Sequence, residues 1–297
     1  MIRRALLIAN PASRRGQSLL GRATRAFERA GVVCDVALTE RPGHAAEIAS
    51  ARHHDYDAVF SLGGDGTAME VAGALAATGH AFGVLPGGTG NLLARALHIP
   101  LGIDAAVKAL LAGTETRFDL GRLSDGRRFG IVAGVGIDAA MVIETPRWLK
   151  QHIGVLAYTL TGTRAALRAI ARRQLINVRL TVDGVTERRT VTTILVANVG
   201  SLVSGRLTLG PAIRTDDGML DVCMFTPRSV FDGVLILWRM VTRRFVDHQT
   251  MVYRRGANIR IETDPPCPAQ ADGELIGLTP LDISVERLSV HLLVPIR

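Results

Sequence analysis

Four apolar runs, RALLIAN, VVCDVAL, DAVFSLGG and AFGVLPGG, recur within the first 122 residues, and segments of helical spacing lie between and after them. Residues 17–30, 43–52, 67–77 and 91–97 carry that spacing. Strand and helix alternating at this rhythm predict a parallel sheet covered by helices on both faces. Sheets of this kind hold ligands outside the carboxyl ends of their strands, where the chain turns into the next helix.

From about residue 123 the pattern changes. INVRLTVDG, VTERRTVTTILVANVG, MLDVCMFTP, ANIRIETD, LDISVE and LSVHLLVPI alternate apolar and polar residues with turn residues between, which predicts an antiparallel β region. Two helical segments, residues 148–173 and 229–245, interrupt it. The turn signal LSDGRR marks the boundary, giving domains 1–122 and 123–297, and the sequence hints that the final strand returns to the first domain.

With 297 residues, 47% of them hydrophobic and 21% charged, the chain has material for one large or two ordinary domains. Only 4% are aromatic, so the cores must be built from Val, Leu, Ile and Ala. The net charge is +8, and all basic residues but Lys108 and Lys150 are arginine. Codon bias accounts for that as well as an anionic partner does, whether membrane surface, nucleic acid or phosphate. Cys34, Cys223 and Cys267 are odd in number and widely spaced, which argues against a disulfide framework or a zinc site and fits a reducing cytosol. The apolar stretch of MIRRALLIANPASRR is too short for a signal peptide and reads as a first buried strand. No uncharged apolar run is long enough to span a bilayer.

Three glycine clusters compete for a phosphate site. GVGIDA at 134–139 matches GxGxxA and GGTGNLLA at 87–94 is GxG-like, but neither has the acidic residue downstream that NAD binding would want, and no GxxxxGK[ST] is present. The third cluster, Gly63, Gly64, Asp65, Gly66 and Thr67, follows an apolar strand and opens a helix. Glycines there let backbone N–H groups approach phosphate, and the helix start adds partial positive charge. Asp65 would then sit beside phosphate, a conflict that Mg²⁺ resolves by binding carboxylate, phosphate and water together. Thr67 can cap the helix. PGGTGN repeats the logic at the next strand end, with Gly88, Thr89 and Asn91 available to phosphate or base, so the two loops would face one crevice.

NPASRRG (10–16), GGDGT (63–67), PGGTGN (86–91) and DGE (272–274), in this order and spacing, resemble the diacylglycerol kinase catalytic-domain family, which includes bacterial lipid kinases and the sphingosine and ceramide kinases. TERPGHA (39–45) and FDLGRL (118–123) also look familial. The resemblance implies an α/β nucleotide domain followed by a β-sandwich, and transfer of the γ-phosphate of ATP to a lipid hydroxyl such as that of diacylglycerol. By resemblance, Asn10, Thr39, Gly63, Gly64, Asp65, Gly66, Thr67, Gly88, Thr89 and Asn91 contact ATP, and Asp65 and Asp119 hold Mg²⁺ through waters. Asp272, or else Glu274, takes the hydroxyl proton; DGE taken alone would be a hairpin turn.

The resemblance also implies a structural Mg²⁺ at Asp217 and the carbonyl of Met219. Arg214 stands where an oxygen ligand is usual, and arginine has no lone pair to donate, so that site is in doubt unless Asp216 or Asp221 rebuilds it. The expected partners are ATP and a lipid at the membrane surface, without nucleic acid; a homodimer is compatible with the sequence. The location expected is the cytoplasm, peripheral to the membrane. Residues 147–173, with Trp148, Tyr158 and a basic end, could form an interfacial helix or a helix packed on the sandwich. Two alternatives stand beside the lipid kinase. NAD kinase shares GGDGT, but the Asn-Glu pair that family places soon after it is missing. A non-catalytic scaffold could use its arginines on membranes or nucleic acid.

Overall fold

The computed structural model describes residues 2–11, 16–136, 139, 175–202, 207–245 and 248–296. The expected helix at 148–173, with its interfacial role, lies outside the described residues, as do residues 137–138 of GVGIDA and 12–15 of NPASRRG. The chain divides into unit 1, Met1–Asp119 with Leu288–Arg297, and unit 2, Leu120–Arg287.

Unit 1 runs β1 (Arg4–Ala9), α1 (Gly16–Arg29), β2 (Val33–Leu38), α2 (His44–Arg52), β3 (Ala58–Gly63), α3 (Asp65–Leu75), β4 (Ala81–Pro86), α4 (Leu92–Ala96) and α5 (Ile103–Leu111). The strands pair in parallel in the order β2-β1-β3-β4. All six residues of β3 and of β4 are buried, which is why these strands read as unbroken apolar runs rather than alternating ones. Phe27 of α1 meets Phe60 edge to face at 4.9 Å. Gly83 makes room for that ring, since a Cβ there would lie 2.4 Å from it. The helix α5 was not foreseen; its apolar residues Ile103, Ala106, Val107 and Leu110 recur at helical spacing and are all buried.

Unit 2 contains the end of β5 (Thr114–Leu123), β6 (Arg128–Phe129), β7 (Val132–Gly136), β8 (Ile176–Val182), β9 (Val185–Val191), β10 (Thr193–Ala197), β11 (Ser201–Leu202) and β12 (Leu207–Thr208). Then follow β13 (Leu220–Phe225), α6 (Val230–Thr242), β14 (Met251–Gly256), β15 (Asn258–Asp264), β16 (Pro268–Ala271), β17 (Glu274–Leu278) and most of β18 (Leu281–Val294). One antiparallel sheet has the order β14-β13-β10-β7-β16-β17, and β9-β8-β15-β18 form a second antiparallel set. Val135, Ile194 and Val222 from the first meet Leu180, Ile261 and Ile283 from the second in a shared core. The intervening residues Leu195, Ala197, Cys223 and Phe225 point the other way and bury Ile236 and Met240 of α6. Apolar cover on both faces explains why β13 is buried throughout.

Two sequence expectations change. LDISVE and all but the last two residues of LSVHLLVPI form the single strand β18, with Leu288, the first residue of the second segment, at φ 48°. Beyond that residue β18 belongs to unit 1, where His291 and Leu292 pair in parallel with Ala81 and Phe82 of β4. Gly134 and Gly136 of GVGIDA lie in β7, which pairs antiparallel with β10 rather than standing in a parallel sheet.

Candidate active site

At the carboxyl edge of the unit 1 sheet, the ladder continues one residue past β1, β2 and β4 and meets the last residues of β3. The Thr39 N–H donates to Ala9 O at 2.9 Å, Asn10 N–H to Leu62 O at 3.0 Å and Gly87 N–H to Gly63 O at 2.8 Å. Thr39, Asn10, Gly63 and Gly87 therefore stand side by side across β2, β1, β3 and β4. The Asn10 amide also donates to Thr67 Oγ1 at 3.3 Å. Thr67 caps nothing: the N-cap of α3 is Gly64, which makes no side-chain cap bond.

The two glycine loops touch backbone to backbone. A Cβ on Gly88 would fall 2.5 Å from Gly64 Cα, and one on Gly87 3.0 Å from Gly63 N. Asn91 holds the second loop closed: its Oδ1 accepts from Gly88 N–H and its Nδ2 donates to Gly88 O, both at 2.9 Å. Asn91 itself takes the left-handed conformation at φ 47°, which asparagine tolerates better than most residues. Thr89 lies partly buried in the bend between Gly88 and Asn91.

Helix α3 supplies two carboxylates to neighbouring helix starts. Asp65 Oδ1 accepts from Leu93 N–H at 3.0 Å, at the start of α4. Glu70 accepts from Gly43 N–H at 3.0 Å and Ala45 N–H at 3.1 Å, at the start of α2. These bonds satisfy amides that a helix start leaves without intrahelical partners. The start of α3, by contrast, has the bare Gly64 as its cap and lies between the two glycine loops. Burial pushes the Asp65 carboxyl above the usual carboxylate range, opposed by the Leu93 and Leu92 amides and by Arg95. A carboxylate disfavoured by desolvation, at the start of a helix beside two glycine loops, suits a cation.

In unit 2, Asp272 and Gly273 form the two-residue turn between β16 and β17, with φ of 47° and 84°. Turn chemistry alone does not account for the aspartate. Its Oδ2 accepts from Gly130 N–H at 2.8 Å, and its Oδ1 from Ile131 and Val132 N–H at 3.0 and 2.9 Å. Three amides thus fix its orientation. Glu274, the other candidate base, is exposed on β17.

The remaining candidates sit differently. Asp119 is fully buried, and its Oδ1 accepts from Leu288 N–H at 2.6 Å, at the irregular point of β18. Asp217 accepts from the Met219 N–H at 3.1 Å and pairs with the Arg255 guanidinium. Arg214 is paired with Asp216 at 3.0 Å, and Arg255 Nε stands 4.0 Å from Asp221. Around Asp217 the compensating charge is a guanidinium, so a metal held by Asp217 and Met219 would have to displace Arg255. Among the described residues no three His, Cys, Asp or Glu side chains gather as a metal site. That bears little on Mg²⁺, which is usually held by one or two carboxylates with phosphate and water.

Comparison with known families decides the family question. The diacylglycerol kinase catalytic domain matches residues 4–123, and the YegS C-terminal NAD kinase beta sandwich-like domain matches residues 130–294. The chain belongs to the diacylglycerol kinase family. A diacylglycerol kinase of Staphylococcus aureus (strain JH9) is 28% identical over 295 residues, covering 97% of this chain and 91% of that protein. An uncharacterized protein of Synechocystis sp. is 28% identical over 242 residues; the match covers 80% of this chain and 55% of that protein's length. The structure of a diacylglycerol kinase from Bacillus anthracis str. Sterne aligns with TM-score 0.76 at 20% identity, over 99% of this chain and 97% of that one. A putative diacylglycerol kinase of the same strain aligns with TM-score 0.79 at 22% identity, over 99% and 95%. The fold expected from the sequence, α/β and then antiparallel β-sandwich, is the fold of this diacylglycerol kinase family member.

Proposed function

We propose that this diacylglycerol kinase family member transfers the γ-phosphate of ATP to the hydroxyl of diacylglycerol or a similar amphiphile, working from the cytoplasm at the membrane surface. The observation that carries the proposal is the alignment of Thr39, Asn10, Gly63 and Gly87 at four adjacent strand ends, with the bare start of α3 among them. Backbone N–H groups of the Gly63, Gly64, Gly66 and Gly88 segments cradle the phosphates, and Asn10, Thr39, Thr67, Thr89 and Asn91 complete the nucleotide contacts. Phosphoryl transfer depends on positioning and charge neutralisation more than on covalent chemistry, which such a rigid cradle suits.

The desolvated Asp65 carboxylate at the glycine loops suits one Mg²⁺. Asp65 would hold it, with Asp119, fully buried and bonded to the Leu288 amide, as the proposed second carboxylate; when bound, the ion would neutralise charge on the transferring phosphate. Asp65 also ties the two loops through the Leu93 amide, so the cradle and its charge are fixed by one side chain. Asp272, oriented by three amides, accepts the lipid hydroxyl proton, a role typically worth about 10²–10⁴-fold.

Phosphate transfer from labelled ATP to diacylglycerol in mixed micelles tests the proposal. Asp65→Asn keeps an oxygen for the Leu93 amide, so the fold should persist while the rate falls by about 10²-fold or more. Unchanged activity in that variant would refute the assignment. NAD offered as the acceptor in the same assay checks the nearest alternative.

A further inference from the structure

Helix α6 is an amphipathic helix with two apolar faces. Ile236 and Met240 are buried against β10 and β13. On the other side Val230, Phe231, Val234, Leu237, Trp238 and Val241 are all exposed, Phe231 by 74% and Trp238 by 47%. At about 100° per residue these six fall within an arc of roughly 120°, along a helix about 20 Å long. Soluble surfaces seldom leave so continuous an apolar stripe in water, and such stripes mark interaction sites.

We propose that this stripe docks the protein onto a bilayer that carries anionic lipid, with α6 lying in the interfacial plane. The charges at its ends choose the occupant. Arg228 precedes the helix and Arg243 and Arg244 follow it, all exposed. The one acidic residue of α6, Asp232, is engaged in the capping box, accepting from the Arg228 and Ser229 N–H groups at 2.9 and 3.1 Å. A second copy of the helix would bring the same arginines and no acidic side chain to meet them, whereas anionic headgroups meet them all. The Arg244 guanidinium stands 5.3 Å over the Trp238 ring. Charge stacked on a tryptophan at the rim of an apolar face is the arrangement that a headgroup boundary accommodates. The inference deepens the lipid-kinase proposal, and rests on it for the reason a bilayer is met at all.

The test uses the full chain and sedimentation with phosphatidylcholine vesicles, with or without phosphatidylglycerol. The wild type should bind the anionic vesicles. Phe231→Ser with Trp238→Ser should weaken binding at least about tenfold at unchanged melting temperature, because both side chains are exposed. Arg243→Gln with Arg244→Gln should abolish the preference for phosphatidylglycerol. Activity on a short-chain, water-soluble diacylglycerol separates the two proposals. It should be the same in all three proteins; its absence from the wild type would sink the kinase assignment and leave the vesicle result standing. Docking is overturned if the serine variant binds vesicles as the wild type does. It is equally overturned if the serine variant instead converts a dimer to monomers while vesicle binding persists.

Discussion

Gly88→Ala is the sharpest perturbation the glycine loops offer. Its φ lies outside the left-handed region, so the backbone accepts alanine, and the whole cost comes from contact. The new methyl would lie 2.5 Å from Gly64 Cα and 3.2 Å from both Gly64 N and Asn91 Oδ1. Gly64 is main chain and cannot rotate aside, so one loop must retreat by about 1 Å to reach ordinary contact. Retreat strains the Gly87 to Gly63 bond of 2.8 Å and the Gly88 to Asn91 bond of 2.9 Å. Overpacking costs roughly 1–3 kcal/mol and a weakened hydrogen bond about 1 more, so a loss of about 2–4 kcal/mol is expected. For a unit of this size that lowers the melting temperature by roughly 8–16 °C. Loop displacement of this order should also cut kcat/KM for ATP by about 10²-fold. The control is the residue across the contact. A Cβ on Gly64 meets only Gly88 Cα, at 3.8 Å, so Gly64→Ala should cost no more than about 0.5 kcal/mol. Thermal melts followed by circular dichroism compare the two, with initial rates alongside. Equal melting temperatures in the two variants would refute the packing of the loops described above.

Three further outcomes are expected. Asp272→Asn puts an NH₂ group where an oxygen now accepts, against Gly130 or against Ile131 and Val132; it should destabilise by about 1–3 kcal/mol in urea and slow transfer by about 10²–10⁴-fold, and an unchanged rate would exclude Asp272 as the base. Glu70→Ala leaves the Gly43 and Ala45 amides unpaired, so their hydrogen exchange should quicken and stability fall by about 1–2 kcal/mol. Burial, with His53 and His54 nearby, holds His80 below the usual histidine range against the opposing charges of Asp57 and Glu115. The folded state then binds fewer protons than the unfolded one, so stability should fall as pH drops below about 6.5. His80→Gln should flatten that limb in melts run from neutral to acidic pH; an unchanged slope would count against it.

The sequence makes the fold class legible because burial leaves a periodic trace. Strands covered on both faces, such as β3 and β4, read as continuous apolar runs, and the exposed alternation of β8 and β9 reads as antiparallel sheet. The glycine loops are legible because each follows such a run. What escapes is long-range. Glu70 looks like any helical glutamate until the fold brings Gly43 and Ala45 to it from 27 and 25 residues away. The second function of Asp65, closing the start of α4 from 28 residues away, is equally invisible, as is the Arg255 partner that Asp217 finds 38 residues on. The stripe on α6 escaped for another reason: the helix carries apolar residues on more than one side, and sequence does not tell which of them finds a partner.

The return of β18 to β4 has a consequence for synthesis. Leu288 follows Asp119, its hydrogen-bond partner, by 169 residues. At translation rates of roughly 5–20 residues per second, β4 waits about 10–30 s after unit 1's other strands have left the ribosome before its neighbour arrives. During that interval β4 is the open border of a parallel sheet, apolar along its whole length and without a charge to deter a stray strand. The nascent chain therefore passes through a window in which β4 is open either to closure by its own last strand or to capture by another molecule's.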